Sequence, residues 1–443
     1  MYNNAPTRSF KHRIIQASIW AFGGHFFSQL IRLGSNLVMT RLLAPEMFGL
    51  MSIAILISVG ISLFTDIGLG PNVIQSKKSS DPEFMDAIWT IQILKGLFIW
   101  GLMIFFSVVI YVLIHYNWVP INTVYANPLV PILVPIISLS VVISGLEPTW
   151  TMLATKEMNQ SLVTKIEIGS QIISVFVMII WAYFNQSIWA LVAGALSASL
   201  AKCLLTYQFS QGRLNRWNLD YAVVKEVFVF GKWILVSTLV GFYAINGDRI
   251  LLGGLVNEHK LGLYSIACMI LGAIWAVYSK LLANVVYPAF CEAYHQGDEK
   301  LKQTYYKFQY LADCGLYLPA GILFVAAGGM IDFLYDSRYH ETGQILQVIS
   351  ITLVSLRYFV AEQVFVALGK PYMSTYCVIA RTAGLFILVP IVFHQYGFAG
   401  ALWAIVVANF VSFSLVLFYK TKLNMLSFYK ELITMPVFLW GWQ

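Results

Sequence analysis

Twelve separate stretches of about 20 or more mostly apolar residues run through this chain. An α-helix rises about 1.5 Å per residue, so about 20 apolar residues are enough to cross the hydrocarbon core of a bilayer. None of the stretches alternates apolar and polar residues as the strands of a membrane barrel do. The sequence therefore predicts an all-α integral membrane protein of about twelve transmembrane helices, near residues 15–39, 47–72, 87–114, 128–147, 161–184, 188–209, 226–253, 261–287, 308–331, 345–368, 373–393 and 398–419.

The low content of charged residues agrees with this assignment. Charged residues make up 11% of the chain, whereas a soluble domain carries about 25%. The net charge of +7 needs no nucleic acid, because Lys and Arg beside anionic lipid headgroups account for it. No basic stretch is interleaved with aromatic residues as in a nucleic-acid groove. The predicted partners therefore include membrane lipids and exclude nucleic acid.

The distribution of Lys and Arg predicts how the chain is oriented. These residues collect in cytoplasmic loops and are sparse in translocated loops. If the N-terminus is cytoplasmic, the inner segments hold seventeen Lys and Arg and the outer segments hold four. An even number of spans returns the chain to the side where it started. We therefore expect both ends of the chain to face the cytoplasm.

A repeated apolar segment indicates that the chain contains two related halves. "GLMSIAILI" at 49–57 returns as "GLYSIACMI" at 262–270, with six of nine positions identical at an offset of 213. The same offset matches Trp20 with Trp233 and Gly34 with Gly247. Six spans per half is an even number, so the two copies enter the membrane in the same sense. The pattern predicts a parallel repeat about a pseudo-two-fold axis along the membrane normal, as some transporters have.

The repeat also predicts the organisation of the chain into lobes. We expect an N-terminal six-helix lobe at 1–210, a cytoplasmic linker at 211–225 and a C-terminal six-helix lobe at 226–420. Two such lobes imply a cavity between them and transport by alternating access. Residues 421–443 are predicted to form an interfacial tail or a truncated thirteenth span, because the apolar run 432–442 is only about 16 Å long as a helix. Deletion of 424–443 is then expected to leave a stable protein.

Several motifs resemble a known family. "RLLAPEMFGLMSIAILI" at 41–57 and "FTDIGLGPNVIQ" at 64–75, with "GDRILLGGLV" before the second copy of the repeat, are similar to the polysaccharide transporter family. The resemblance is to its Wzx-type flippases, nearest the colanic-acid exporters, in the multidrug/oligosaccharidyl-lipid/polysaccharide (MOP) superfamily. It implies movement of undecaprenyl-diphosphate-linked oligosaccharide across a bacterial inner membrane, for capsule, exopolysaccharide or O-antigen synthesis. Polymerase and export proteins of the same pathway are the implied protein partners.

Charged residues inside the predicted spans are candidates for a functional site. A charge at the bilayer centre costs about 2.5–3.5 kcal/mol, so such residues should face a cavity, pair with one another or reach the interface. Lys202, Lys232 and Asp313 lie near inner ends and are expected to reach the interface. The other cations are Arg32, Lys95, Lys280, Arg357 and Arg381, and the acids are Asp66, Glu167 and Glu362, with Asp248 near an outer end.

Helical spacing groups some of these residues with other polar side chains. His25, Ser28, Gln29, Arg32 and Asn36 form one stripe on the first span. Such a stripe can face a polar cavity, or it can form hydrogen bonds between helices, and both interpretations stay open. Lys280 and Asn284 share a face of the eighth span, and Glu362 lies on the polar face of the tenth, from which Arg357 points away.

The 213 offset brings an acid of one half near a base of the other. Asp66 and Lys280 miss equivalence by one residue. They form a latch between the halves or belong to two unrelated local pairs, and the spacing does not decide between these alternatives.

These residue types suit a diphosphate-linked glycan. Arg binds phosphate bidentately and Lys binds it as a point charge, while amides and hydroxyls bind sugar hydroxyls. Asp66 and Glu362 could instead carry a coupling proton, since burial raises a carboxyl pKa. The predicted substrate-binding residues are Arg32, Lys280, Glu362, Asp66, Gln29 and Asn284, with a second group of Lys95, Arg381, Arg357, Asp248 and Arg249.

Enzyme motifs and metal-ligand spacings are missing from the sequence. It contains no P-loop and no H-E-x-x-H or G-x-S-x-G motif, and its five cysteines are far apart. No catalytic residue, cofactor or metal site is therefore predicted. A membrane-embedded polymerase or glycosyltransferase is a rival, but the longest outer loop is short. An ion-coupled drug exporter of the same superfamily is a nearer rival. A cation exporter would need an acidic cavity, however, whereas the charged residues within the spans are more often basic than acidic.

Overall fold

The protein is helical throughout the part of the chain that its computed structural model describes, which is residues 10–64, 69–156, 160–210, 213–427, 429 and 431. No strand occurs in these ranges. The α-helices are α1 Phe10–Leu42, α2 Pro45–Phe64, α3 Leu69–Gln75, α4 Pro82–His115, α5 Val130–Gly145, α6 Trp150–Lys156, α7 Gln160–Phe184, α8 Trp189–Gln208, α9 Tyr221–Gly253, α10 Glu258–Leu281, α11 Tyr287–His295, α12 Asp298–Leu334, α13 Glu341–Ser350, α14 Thr352–Ser355, α15 Tyr358–Ala367, α16 Pro371–Phe410 and α17 Ser412–Lys422.

Several of these helices can cross a membrane. Eight helical segments of the described chain are long and apolar enough to do so. Gly397 has a φ of +63°, which breaks the longest segment between the eleventh and twelfth predicted spans. The all-α multi-pass architecture is confirmed, while the number twelve stays a prediction. The eight segments are Pro45–Leu63, Pro82–His115, Ser161–Phe184, Trp189–Gln208, Glu258–His295, Asp298–Leu334, Glu341–Ala367 and Pro371–Lys422.

The chain divides into two compact units. The first comprises Met1–Leu43, Met51–Ile121 and Tyr125–Phe242, and the second comprises Ala44–Leu50, Asn122–Val124 and Tyr243–Gln443.

Within the first unit, small residues allow helices to pack closely. α4 lies against α5, and α7 lies against α8 and α1. A Cβ added to Gly96 of α4 would lie 3.2 Å from the carbonyl oxygen of Val141, and one added to Gly145 of α5 would lie 3.1 Å from that of Gln92. Helices in lipid associate largely through such close packing, because the bilayer gives no hydrophobic drive for it.

The core of the second unit joins α10–α12 to α15 and α17. Phe290, Tyr317 and Phe365 are among its fully buried side chains. Between α10 and α11 the chain forms one π-helical turn, Leu282–Val286. π-turns inside helices occur frequently at functional sites.

The first turns of α2 and α10 meet inside the second unit through equivalent positions of the repeat. Glu46 contacts His259 with an Oε1–Nδ1 distance of 2.7 Å, and a Cβ added to Gly49 or to Gly262 would clash with the backbone of the other turn. Both pairs are separated by 213 residues, the offset of the sequence repeat. Residues that contact their own equivalents surround a two-fold axis, so these two turns are related by a local two-fold axis.

Candidate functional site

Deeply buried charges among the described residues of the second unit form an ion-pair cluster at α12 and α15. Arg357, at the start of α15, lies 3.1 Å from an Oδ2 atom of Asp313 in α12, and their side chains are 3% and 0% exposed. The guanidinium also lies near the rings of Tyr317 and Tyr358. The expectation that Asp313 reaches the interface is wrong, because Arg357 offsets its charge inside the unit. Arg357 pairs with a neighbouring helix, in keeping with its position away from the face of Glu362.

The same cluster contains two charged residues, and two polar residues beside them, that sequence reasoning did not select. Lys420, from α17, contacts Glu431 of the tail, and Arg357 lies 3.4 Å from the second carboxylate oxygen of Glu431. Gln309 of α12 donates a hydrogen bond of 3.0 Å to that oxygen. Tyr306, Gln309 and Asp313 follow spacing i, i+3 and i+7, which places them on one helix face. That spacing is the sequence signal that could have identified the cluster.

A second pair joins two candidates that were predicted separately. Arg381 of α16 lies 4.0 Å from Glu362 of α15, and both are largely buried. Ser374 donates a hydrogen bond of 3.2 Å to the other carboxylate oxygen of Glu362, and the guanidinium stacks 4.5 Å from the centre of the Phe359 ring. The pair keeps a carboxylate inside the unit at a tolerable energetic cost, because each charge is compensated.

Lys280 and Asn284 lie at the π-helical turn. Lys280 is half-buried near the end of α10, and Asn284 is exposed inside the turn. Beside them, Val277, Leu281 and Val285 line an apolar cavity of about 620 Å³ together with Leu311 and Leu316 of α12. The arrangement places a cation and an amide next to an apolar wall.

The polar stripe of α1 is divided between two roles in the structure. Ser28 donates a hydrogen bond of 2.6 Å to Gln171 of α7, and Gln171 donates one back to the Ser28 carbonyl. Gln29 lies 3.4 Å from His25 on its own helix, while Arg32 is exposed. Ser28 therefore serves helix packing, and Arg32 is the member accessible from outside the unit.

The remaining candidates lie apart from these groups. Lys95 is half-buried on α4. Asp248 of α9 accepts a hydrogen bond from Tyr264 of α10, and Arg249 lies beside Cys268. Asp66 falls outside the described residues, so its proposed latch with Lys280 stays a prediction.

Lys202 and Glu167 lie together in the first unit. They line a small cavity of about 180 Å³, where Lys202 lies 3.0 Å from Glu147.

Comparison with known proteins places the chain in a family. Residues 38–344 match the family model described as "Polysaccharide biosynthesis protein", which is more than half of the chain. The protein therefore belongs to the polysaccharide biosynthesis protein family, and the predicted family resemblance is confirmed.

Two curated relatives carry names that refer to lipopolysaccharide biosynthesis and to O-antigen transport. The lipopolysaccharide biosynthesis protein WzxC of Escherichia coli is 21% identical over 71% of this chain and 61% of its own length. A putative O-antigen transporter of Shigella flexneri is 24% identical over 57% of this chain and 60% of its own length. The matches thus span about three fifths of these relatives.

Solved structures show that the fold is that of known transporters. The lipid II flippase MurJ superposes with a TM-score of 0.67 and 14% identity, covering 96% of this chain and 98% of MurJ. A MATE-family multidrug resistance transporter of the MOP superfamily superposes with a TM-score of 0.65 and 13% identity, covering 89% and 98%. The MOP-type fold expected from the sequence is confirmed.

Proposed function

We propose that this protein is a flippase that moves undecaprenyl-diphosphate-linked oligosaccharide across the bacterial inner membrane by alternating access. The observation that carries the proposal is the combination of a polysaccharide-biosynthesis family match over 38–344 with a transporter fold. A polysaccharide-pathway protein that lies almost wholly in apolar helices is suited to moving a lipid-linked intermediate.

The accessible cations of the two units support this substrate class. Arg32 is exposed on α1, and Lys280 is half-buried beside an exposed amide, Asn284. A guanidinium and an ammonium bind phosphate oxygens, and amides bind sugar hydroxyls. In this proposal Arg32 of the first unit and Lys280 of the second unit are each candidates to bind the diphosphate, and Gln29 and Asn284 are each candidates to contact the sugar. Glu362 and Arg381 balance each other's charge, so in this proposal their first role is to stabilise the second unit and not to bind the substrate.

In the proposed topology the N-terminus is cytoplasmic, and an even number of spans brings the chain back to the cytoplasmic side. Membrane lipids surround the spans, and polymerase and export proteins of the same pathway act on the translocated product. The function requires no catalytic residue, cofactor or metal.

Replacement of Arg32 tests the proposed function in cells. We expect Arg32→Ala to lower surface polysaccharide by about tenfold or more at normal protein level, because it removes hydrogen bonds to charged groups worth about 1.5–3 kcal/mol. Arg32→Lys should retain part of the export. Lys165→Ala is a matched control, since Lys165 is an exposed cation in the same unit. Export at the wild-type level from the Arg32→Ala variant would contradict the proposal and would assign the polar stripe of α1 to helix packing. If the variant lost drug efflux but kept polysaccharide export, the drug-exporter alternative would be favoured.

A further inference from the structure

The carboxylate of Glu431 lies in a cage of donors contributed by three helices of the second unit. Lys420 contacts Oε1, and the Tyr306 hydroxyl lies 3.3 Å from the same atom. Gln309 donates to Oε2 at 3.0 Å, and Arg357 reaches the same oxygen at 3.4 Å. Lys420, Gln309 and Arg357 donate to the carboxylate, and the single proton of the Tyr306 hydroxyl is shared between Glu431 and the Met425 carbonyl, 3.0 Å away. Several donors around one small anion form a pattern typical of an oxyanion site.

The cage requires one negative charge from outside the spanning helices. Arg357 and Lys420 bring two positive charges, and Asp313 supplies one negative charge from α12. Without Glu431 a net charge of +1 would stay buried, which is strongly unfavourable. Each phosphate of a diphosphate diester also carries about one negative charge, so it matches the cage in charge.

The carboxylate does not use every polar atom of the cage. Among the described residues, Arg357 Nε is a buried donor without a hydrogen-bond partner. Buried polar atoms are nearly always hydrogen-bonded, so such exceptions need an explanation. A phosphate group has more oxygen atoms than a carboxylate and extends further, so it can also accept a hydrogen bond from Arg357 Nε.

The segment that brings Glu431 into the cage is short, and its described residues are held by hydrogen bonds at a turn. Asn424, two residues after the end of α17, has a φ of +54°, and the Met425 amide donates to the Lys420 carbonyl. The Ser427 amide donates to the Tyr306 hydroxyl at 2.7 Å, and Lys302 donates to the Asn424 carbonyl. A turn followed by a few hydrogen bonds can open locally without unfolding the spanning helices.

We propose that Arg357, Lys420, Gln309 and Tyr306 form a binding site for the phosphate of a lipid headgroup, which Glu431 fills as an internal ligand until that phosphate displaces it. The site deepens the proposed function, on which the identity of the lipid rests. It lies at the inner ends of α12 and α17 in the predicted topology, where a lipid-linked substrate would enter.

Hydrogen exchange on the unmodified protein tests the displacement. We expect inorganic pyrophosphate to speed exchange of the amides of Met425, Ser427 and Glu431 by about tenfold or more relative to chloride at equal ionic strength, since opening the tail breaks their hydrogen bonds. An unchanged exchange rate at saturating pyrophosphate would overturn the proposal.

A pair of variants tests the charge of the site. Glu431→Gln should lower Tm, and pyrophosphate should restore Tm in this variant far more than in the wild type, because the anion then binds without competition. In Glu431→Gln combined with Lys420→Gln the charge is balanced again, so Tm should recover and the response to pyrophosphate should disappear. Equal responses of all three proteins would show that Glu431 is only a structural counter-ion.

A comparison of lipids separates a headgroup from free phosphate. In nanodiscs of phosphatidylcholine, added undecaprenyl phosphate should speed exchange of the amides of Met425, Ser427 and Glu431 at far lower concentration than inorganic phosphate does. Equal potency would assign the site to a soluble anion and would contradict the lipid proposal. These measurements detect anion binding at the cage whether or not the protein translocates a glycan. The proposed site can therefore be refuted while the proposed function stands, and the reverse also holds.

Discussion

At the scale of single residues, the second unit keeps its buried charges by pairing them. Arg357 contacts both Asp313 and Glu431, and Arg381 lies beside Glu362. An unpaired charge at the bilayer centre costs about 2.5–3.5 kcal/mol, whereas a compensated pair is tolerated. Pairing therefore explains why these helices can carry ionisable residues and still insert.

Removal of Arg357 should destabilise the protein strongly. Arg357→Met leaves two carboxylates in the cluster without their shared cation, which should cost about 3–5 kcal/mol and lower Tm clearly in detergent. Arg338→Met is the matched control, because Arg338 pairs with Asp336 at a partly exposed site and such pairs are worth about 0–1 kcal/mol. Equal Tm values for the two variants would contradict the role given to the cluster.

The cluster also predicts how stability depends on pH. Glu431 lies outside the spanning helices; burial opposes its ionisation, but Lys420 and Gln309 outweigh burial and lower the carboxyl pKa below its ordinary value. A lowered pKa means that Glu431 stabilises the fold above about pH 4.3 and ceases to do so as pH falls through the lower folded pKa. The Tm difference between wild type and Glu431→Gln should therefore be constant near neutral pH and shrink below about pH 4. A difference that persists in acid would contradict this.

At the scale of helices, the close approach of α2 and α10 depends on two glycines. A Cβ on Gly262 would lie 1.9 Å from the Pro45 carbonyl oxygen, and one on Gly49 would lie 2.1 Å from that of Glu258. No side chain fits at such distances without moving the backbone. The repeat therefore preserves glycine at both positions for a packing reason.

Substitution of Gly262 should separate the two turns. We expect Gly262→Ala to cost about 1–3 kcal/mol, the usual range for overpacking, and to lower Tm. Gly272→Ala on the same helix is the control, because nothing lies within 4 Å of its added Cβ. If the two variants melt together, the contact contributes no stability.

The sequence predicted the apolar helices well and the polar partners poorly. Spans such as Trp189–Gln208 follow from apolar length alone, and the break at Gly397 falls between two predicted spans. The partner of Asp313 depends on how α12 and α15 are rotated against each other, which spacing within one helix does not determine. Glu431 was assigned to a dispensable tail, yet it balances Arg357 and Lys420, so we now expect deletion of 424–443 to destabilise the protein.

At the scale of the whole molecule, family and fold together are the basis of the proposed transport of lipid-linked glycans. The family match covers 38–344, and the MurJ fold covers almost the whole chain. The distribution of Lys and Arg in the sequence also predicts the orientation of the protein in the membrane, with the N-terminus in the cytoplasm.

Cysteine labelling tests the predicted direction. A cysteine at Asn117 or Gln395 should react with an impermeant thiol reagent added outside, whereas one at Ser79 should not, because the positive-inside pattern places Ser79 in the cytoplasm. The five native cysteines are replaced first. Labelling at Ser79 together with protection of the other two sites would reverse the topology.

Translocation in a purified system tests the central claim most directly. The protein is reconstituted into liposomes that contain undecaprenyl-diphosphate-linked oligosaccharide in the inner leaflet, and the glycan that reaches the outer leaflet is measured with a lectin. We predict that wild-type protein exposes the glycan much faster than empty liposomes do, and that Arg32→Ala does so at about a tenth of the wild-type rate or less, given the loss of phosphate hydrogen bonds. Exposure by wild-type protein no faster than in empty liposomes would contradict the account.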